Sequence, residues 1–168
     1  YKLAKLFETQ KSWDLYLEHL NDAIKRDPKF PPAYYELFYY HFFRGNYTEA
    51  ETNLNKYISN ADASHANDYL YAQLCWAKKD FDCAVAKGES VVADAGITGK
   101  AKVHKLLADA YNQKGDYTNA LKNIDLYFQK AEPGDVIAFD YKLKADILVK
   151  MNAAPLDIAN AYKQGVDA

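Results

Sequence analysis

Four aromatic residues constrain what this chain can become. Trp13, Tyr47, Phe81 and Tyr117 stand 34, 34 and 36 residues apart, each just after a short break in a helical pattern of apolar residues. Self-similarity at such a period means one supersecondary unit copied in tandem, which decides the architecture before local propensity matters. The chemistry around the four also recurs. Three residues after each come Tyr16, Ala50, Ala84 and Ala120, and nine before each come Ala4, Phe38, Ala72 and Ala108. Small residues in fixed register are what two helices need where their backbones approach. Ten residues after each aromatic lie Ala23, Tyr57, Val91 and Tyr127, and six before lie Phe7, His41, Cys75 and Tyr111. The three-to-four residue period puts these on the inward stripe of each helix.

The breaks read as turns: Arg44-Gly45-Asn46-Tyr47, Lys79-Asp80-Phe81 and Lys114-Gly115-Asp116-Tyr117. A glycine there can take the left-handed conformation that ends a helix, and the Asn or Asp that follows can cap the next one. Each unit is therefore a helix, a tight turn and an antiparallel helix. Stop signals separate the units at Asp27-Pro28 with Pro31-Pro32, at Gly96 and at Pro133-Gly134, because proline cannot donate to a helix it would continue.

Leu37…Gly45-Asn46-Tyr47…Ala50 and Leu107-Ala108…Tyr111…Gly115-Asp116-Tyr117…Ala120 are the clearest copies. Their pattern of small, aromatic and small residues resembles the tetratricopeptide repeat family over essentially the whole chain. The resemblance implies an all-α fold of tandem antiparallel helix pairs stacked into a right-handed α-α superhelix, a solenoid. It divides residues 1–168 into a single array of about five units: 1–28, truncated, then 31–61, 65–95, 101–131 and a degenerate 135–168. Some copies depart from the pattern. Tyr16 stands where Ala is usual, and Phe38 at a normally small position is expected to spread its helix pair. Gly88 replaces a bulky residue and is expected to cost about 1 kcal/mol of helix stability relative to Ala. The last unit matches only in Ala145, Leu148 and, approximately, Ala159, with Asn152-Ala153-Ala154-Pro155 as its turn. Neighbouring units must cover one another's apolar faces, and terminal units need polar caps. Neither end shows such a cap, and Leu3, Leu6 and Phe7 open the first helix without a preceding Met. A piece of a longer protein is the expectation.

Composition narrows the partner. Lys+Arg 21 against Asp+Glu 23 gives a formal charge of −2, which supplies no basic field for nucleic acid. No apolar run approaches the length that crosses a bilayer, so direct membrane insertion is not expected. Seven Gly, five Pro and no biased tract leave every segment able to fold,. Fifteen Tyr are the outlying number, since Tyr serves where packing meets solvent or a ligand. The Lys-rich, Tyr-rich composition suits a bacterial protein, with cytoplasm and cell envelope both open.

The resemblance implies a concave groove lined by the first helix of each unit, which in such arrays holds an extended or helical peptide. Its stripe would be Tyr35, Tyr39 and Phe42, then Tyr69, Gln73 and Trp76, then Lys105, Asp109 and Asn112, and finally Lys142, Asp146 and Val149. The groove is thus aromatic in its first half and polar in its second. Tyr39 and Trp76 are the leading contacts, whereas Tyr34, Tyr40 and Phe43 lie on other sides of their helix and are assigned to packing. Helical spacing equally allows the aromatic stripe to be core or inter-repeat contact. One subfamily clamps a terminal carboxylate with Lys and Asn, but Tyr35, Tyr39 and Leu70 occupy those places here and only Lys102 fits, so chaperone C-termini are not the expected ligand.

Other signals carry less. His19, His41, His65 and His104 are scattered, none at metal-ligand spacing,, and His41 reads as a satisfied core residue. Cys75 and Cys83 flank a turn; a local disulfide is open to them, but helix axes about 8–10 Å apart favour two small apolar fillers. Asn46-Tyr47-Thr48 matches a glycosylation acceptor, with Asn46 expected instead as a helix cap. No phosphate loop, nucleophile elbow, zinc helix or calcium loop is present, and a carbohydrate role through Tyr and Trp lacks a set carboxylate pair. The expectation is a non-enzymatic scaffold without cofactor or metal that binds a protein or peptide. The alternative is a structural spacer or oligomerisation segment of a larger multidomain protein, its aromatic surfaces buried against another copy or an adjoining domain; self-association through the terminal units is also open.

Overall fold

The computed structural model describes residues 1–62, 64, 66–94, 100–132 and 134–167. The stop signals at Gly96 and Pro133, and His65, lie outside the described residues. Among those described, ten helices follow one another: α1 (Lys2–Thr9), α2 (Trp13–Arg26), α3 (Pro31–Phe42), α4 (Tyr47–Asn60), α5 (Ala66–Ala77), α6 (Phe81–Ala93), α7 (Ala101–Lys114), α8 (Tyr117–Lys130), α9 (Ala138–Lys150) and α10 (Pro155–Asp167). Each of the four periodic aromatics is the first residue of the second helix of a pair. The chain forms two compact units, residues 1–67 and 68–168. No helix among the described residues is long and apolar enough to cross a membrane.

The turn inside each pair is built the same way. One residue takes a positive φ, in chain order Lys11 (56°), Gly45 (74°), Lys79 (63°), Gly115 (81°) and Asn152 (51°). The next residue returns its N–H to a carbonyl in the last turn of the helix just finished: Ser12 to Phe7 at 2.9 Å, Asn46 to His41 at 3.0 Å, Asp80 to Cys75 at 2.9 Å, Asp116 to Tyr111 at 3.0 Å and Ala153 to Leu148 at 3.0 Å. These are Schellman closures, which satisfy carbonyls that a helix end would leave without partners. Asp80 and Asp116 then cap the following helix through the N–H groups of Cys83 and Asn119, both at 3.1 Å. Hydrogen bonds from the Asn119 side chain and backbone hold the Asp116 carboxyl below its ordinary range. Asn46 departs from expectation. It occupies the cap position of α4, but its side chain makes no cap bond.

The eight positions at fixed offsets from the periodic aromatics are buried. Ala4, Phe38, Ala72, Ala108, Tyr16, Ala50, Ala84 and Ala120 are all at most 2% exposed. Alanines let the backbones of a pair approach, while Phe38 fills its site with a ring lying 4.7 Å from Tyr39 and 5.6 Å from Phe42. In the last pair Ala145 and Leu148 are buried as expected, but their small partner is Ala161. Ala159 is exposed, because the inward stripe of α10 runs through Ile158 and Ala161.

Two buried carboxylates tie successive pairs together. In the first unit Glu36 of α3 accepts from the hydroxyls of Tyr16 (3.1 Å) and Tyr1 (3.2 Å) and from the Lys5 ammonium (3.1 Å), so α1, α2 and α3 meet on one side chain. In the second unit Asp140 of α9, fully buried, accepts from the Tyr127 hydroxyl at 2.9 Å and the Ile137 N–H at 3.1 Å. Its other oxygen lies 2.5 Å from the Lys105 ammonium. Burial first, and then the adjoining carboxylates, push the Tyr16 and Tyr127 hydroxyls above their ordinary pKa. Buried charges of this kind persist only where partners neutralise and hydrogen-bond them.

Two expectations are corrected in α5–α7. Cys75 and Cys83 are disulfide-bonded across the turn, with Cα atoms 5.7 Å apart. Close to a tight turn the two chains have not yet diverged to the full interaxial spacing, so the distance that argued against the bond does not apply there. Gly88 is not a defect of α6. A Cβ at this position would stand 2.7 Å from Leu107 Cδ2, and Leu107 is itself buried in the core of the second unit, so the absent side chain is what lets α7 lie against α6.

Gly88→Ala is therefore expected to destabilise the protein by about 1 kcal/mol in urea unfolding, overpacking outweighing the gain in helix propensity; an increase in stability would contradict this packing. Reducing the Cys75–Cys83 bond is expected to lower stability by about 2–3 kcal/mol, as chain entropy predicts for a short loop, measured by unfolding with and without reductant. An unchanged midpoint would argue against the bond.

Candidate functional site

In the first unit, α3 carries apolar and aromatic residues on nearly every side, and its two faces separate by burial. Ala33, Tyr34, Glu36, Leu37 and Phe38 turn inward. Tyr34 donates to the Pro28 carbonyl at 2.9 Å. Tyr40 packs against the core around Ala4 and Tyr16, and the Arg44 guanidinium lies 3.7 Å from its ring centre and 4.5 Å from that of Trp13. These two tyrosines serve packing, as expected.

The outward face is a ridge of rings. Tyr35 and Tyr39 meet edge to face at 5.0 Å, and Tyr39 and Phe43 stack at 5.6 Å with planes 19° apart. Phe42 closes the side of the ridge, 6.3 Å from Tyr39 and 5.5 Å from Phe43. Tyr35 is 36% exposed and Phe43 77%. The assignment of Phe43 to packing is thus corrected. The helix ends at Phe42, so no following turn covers Phe43, and the i, i+4, i+8 row of Tyr35, Tyr39 and Phe43 shares one face.

At the N-terminal end of the ridge an open hollow of about 750 Å³ is bounded by Tyr1, Tyr35, Tyr57, Asn60, Asp62 and Asn67, with Pro31, Pro32 and Glu36 among its other walls. It lies entirely in the first unit. Tyr57 leans on Tyr35 with centroids 5.3 Å apart. The sequence signalled Tyr57 only as an inward residue and did not mark Asp62, because the hollow joins the start of α3 to the end of α4 and residues after it, which the stripe of first helices does not include.

In the second unit two expected groove residues meet. The Trp76 indole, 40% exposed, donates from Nε1 to Asp109 Oδ2 at 2.8 Å, which joins α5 to α7, and Asp109 also accepts from Gln113 at 3.3 Å. Asn112 is half-buried one turn on. Most of the remaining expected residues are engaged elsewhere. Tyr69 packs against the core, and burial raises its hydroxyl pKa despite an opposing hydrogen bond with Gln73. Lys105 is held by Asp140 and lies 5.4 Å from the centre of the Tyr127 ring. On α9, Lys142 lies 2.5 Å from Asp146, which also accepts from Tyr162 at 3.0 Å, while Val149 is exposed.

Among the described residues the histidines do not converge. His104 is buried with Nδ1 2.9 Å from the Asn123 side-chain oxygen, and burial holds its pKa below the ordinary value. His41 departs from expectation, for its half-buried ring keeps a buried Nδ1 without a hydrogen-bond partner. Among the described residues no three His, Cys, Asp or Glu side chains are grouped to hold a metal ion.

No family model matches this sequence, and no curated protein matches it. Solved structures do share its fold. MamA from Desulfovibrio magneticus RS-1 superposes with a TM-score of 0.82 at 16% identity, over 99% of this chain and 90% of that one. PilW, described as a widely conserved type IV pilus biogenesis factor, gives 0.80 at 17% identity over 99% of this chain and 76% of that one. A tetratricopeptide repeat protein from Parabacteroides merdae gives 0.70 at 19% identity over 98% of this chain, which spans 62% of that protein's length. Identities this low carry architecture and not activity. Period, Schellman-closed helix pairs and solved structures agree: this chain is an all-α helical-repeat protein with the tetratricopeptide-repeat fold.

Proposed function

We propose that the chain is a non-catalytic scaffold module that binds a protein or peptide, its helices forming five repeat units in one array. The outward ridge of α3 is its principal recognition surface in the first unit, and the Trp76–Asp109 pair is the corresponding contact in the second. One observation carries the reading. Tyr35, Tyr39 and Phe43 hold their rings in contact along one helix face, Tyr35 edge to face with Tyr39 and Tyr39 stacked on Phe43, and Phe43 at the end of the row is largely exposed. Aromatic side chains supply most of the energy at interfaces, and the rings brace one another, so little side-chain freedom remains to be lost on binding. Tyrosine hydroxyls with raised pKa support the non-catalytic part. Tyr16, Tyr111 and Tyr127 are shifted by burial and donate to Glu36, Glu89 and Asp140. Those are structural pairs joining helices rather than groups gathered at a reacting centre.

The test compares capture of partners by wild type, by Tyr39→Ala/Phe43→Ala and by Trp76→Ala, with circular dichroism showing that each variant remains helical. Affinity for a captured partner is expected to fall roughly 30-fold or more in the α3 variant, as for truncation of an interface hot spot, and less in Trp76→Ala. Equal affinity across all three removes the aromatic face as the recognition surface and moves the spacer reading ahead.

A further inference from the structure

We infer that the hollow at the N-terminal end of α3 receives the cationic side chain of a lysine or arginine in the bound peptide; this rests on the peptide-binding reading of the adjoining ridge. The described residues of the hollow supply aromatic rings and acceptors. Tyr1, Tyr35 and Tyr57 are three of its lining residues, and the face of an aromatic ring attracts an ammonium or guanidinium group. Asp62 adds a solvent-exposed carboxylate at the rim. No lysine or arginine is among the described residues that line it.

The backbone points to the same guest. The last turn of α4 ends in the wall at Tyr57, Asn60 and Ala61 and carries no basic residue, so the negative end of this helix dipole has no side-chain cation of its own. The positive end of α3 also borders the hollow, but it is disabled for anions. Pro31 and Pro32 have no N–H, and the Ala33 N–H is bonded to the Phe30 carbonyl at 3.3 Å,. The two amides are used alike. Asn60 donates to the Lys56 carbonyl at 2.7 Å and Asn67 to the Asp62 carbonyl at 3.4 Å, so each keeps its oxygen to accept.

Glu36 contributes little to the selection, because Lys5 neutralises it and two tyrosine hydroxyls already donate to it. An apolar guest would desolvate Asp62 and both amides without replacing their hydrogen bonds. A lysine or arginine satisfies both halves of the site, laying its methylenes along Pro31, Pro32 and the rings while its charged head reaches Asp62.

The test is an NMR titration of the whole protein with Nα-acetyl-lysine N-methylamide and its arginine counterpart, set against the norleucine and glutamate counterparts. The two cationic probes are expected to give saturable shifts centred on the Asn60, Asp62 and Asn67 amides, and the other two none at the same concentration. Asp62→Asn, at an exposed site where folding is not at stake, is expected to weaken binding about two- to fivefold. Tyr57→Leu, which keeps apolar bulk, should weaken it about as much. The inference is overturned by shifts that do not saturate, by equal shifts from the norleucine or glutamate probe, by shifts no larger here than at other acidic surfaces, or by indifference to both substitutions. Such a failure, with the α3 variants still losing their partner, discards the cation pocket and leaves the ridge as the recognition surface. Binding here with no effect of the α3 variants would mean the reverse.

Discussion

A pair of short antiparallel helices cannot bury both of its own apolar faces, and the rest of this structure follows from that constraint. Backbones in each pair must approach closely enough for the next pair to cover them. The fully buried Ala4, Ala50, Ala72, Ala84, Ala108 and Ala120 meet this requirement at the repeat period. Gly88 extends the same logic to the contact between α6 and α7, where even a methyl group would meet Leu107. The turn in each pair reverses the chain within a few residues, and one left-handed residue with a returning N–H accomplishes this every time. Three of those five residues are not glycine, so the geometry is imposed by the pairing of the helices rather than by local preference.

The abundance of tyrosine has two separate causes. Tyr16, Tyr111 and Tyr127 are structural, each burying a ring while its hydroxyl reaches a carboxylate on another helix. Glu36 and Asp140 could not remain in the interior without such donors and their lysines. Tyr35 and Tyr39 belong to the other class, with rings partly in solvent that pack against neighbouring rings. One residue type thus stabilises the stack and furnishes its exposed face, which is why composition alone could not separate the two.

The fold was legible because its determinants are local and periodic. Gly45 and Gly115 announce their turns, Asp80 and Asp116 their caps, and the small residues their contacts. What escaped the sequence depends on distance in space. The value of Gly88 lies in Leu107 on another helix, and the burial of Asp140 depends on Tyr127 and Lys105 from α8 and α7. Nothing about Lys11 or Lys79 as residue types signals a left-handed backbone. The Cys75–Cys83 bond depends on how little two helices have diverged beside their turn. For the candidate site, helical spacing singled out Tyr35, Tyr39 and Trp76, which are partly exposed, and also included Lys105, which is held by a core carboxylate. It missed Phe43, where the helix stops, and the hollow, where a helix end and a loop meet.

The central claim is that the α3 ridge faces a different protein rather than another copy of this chain. Sedimentation equilibrium of the wild type beside Phe43→Ser tests it most directly. The account predicts that both behave as monomers of 19.1 kDa across micromolar concentrations, with the ridge open in each. A wild type that self-associates, and that the serine variant returns to monomer, would contradict it and make the ridge an oligomerisation surface.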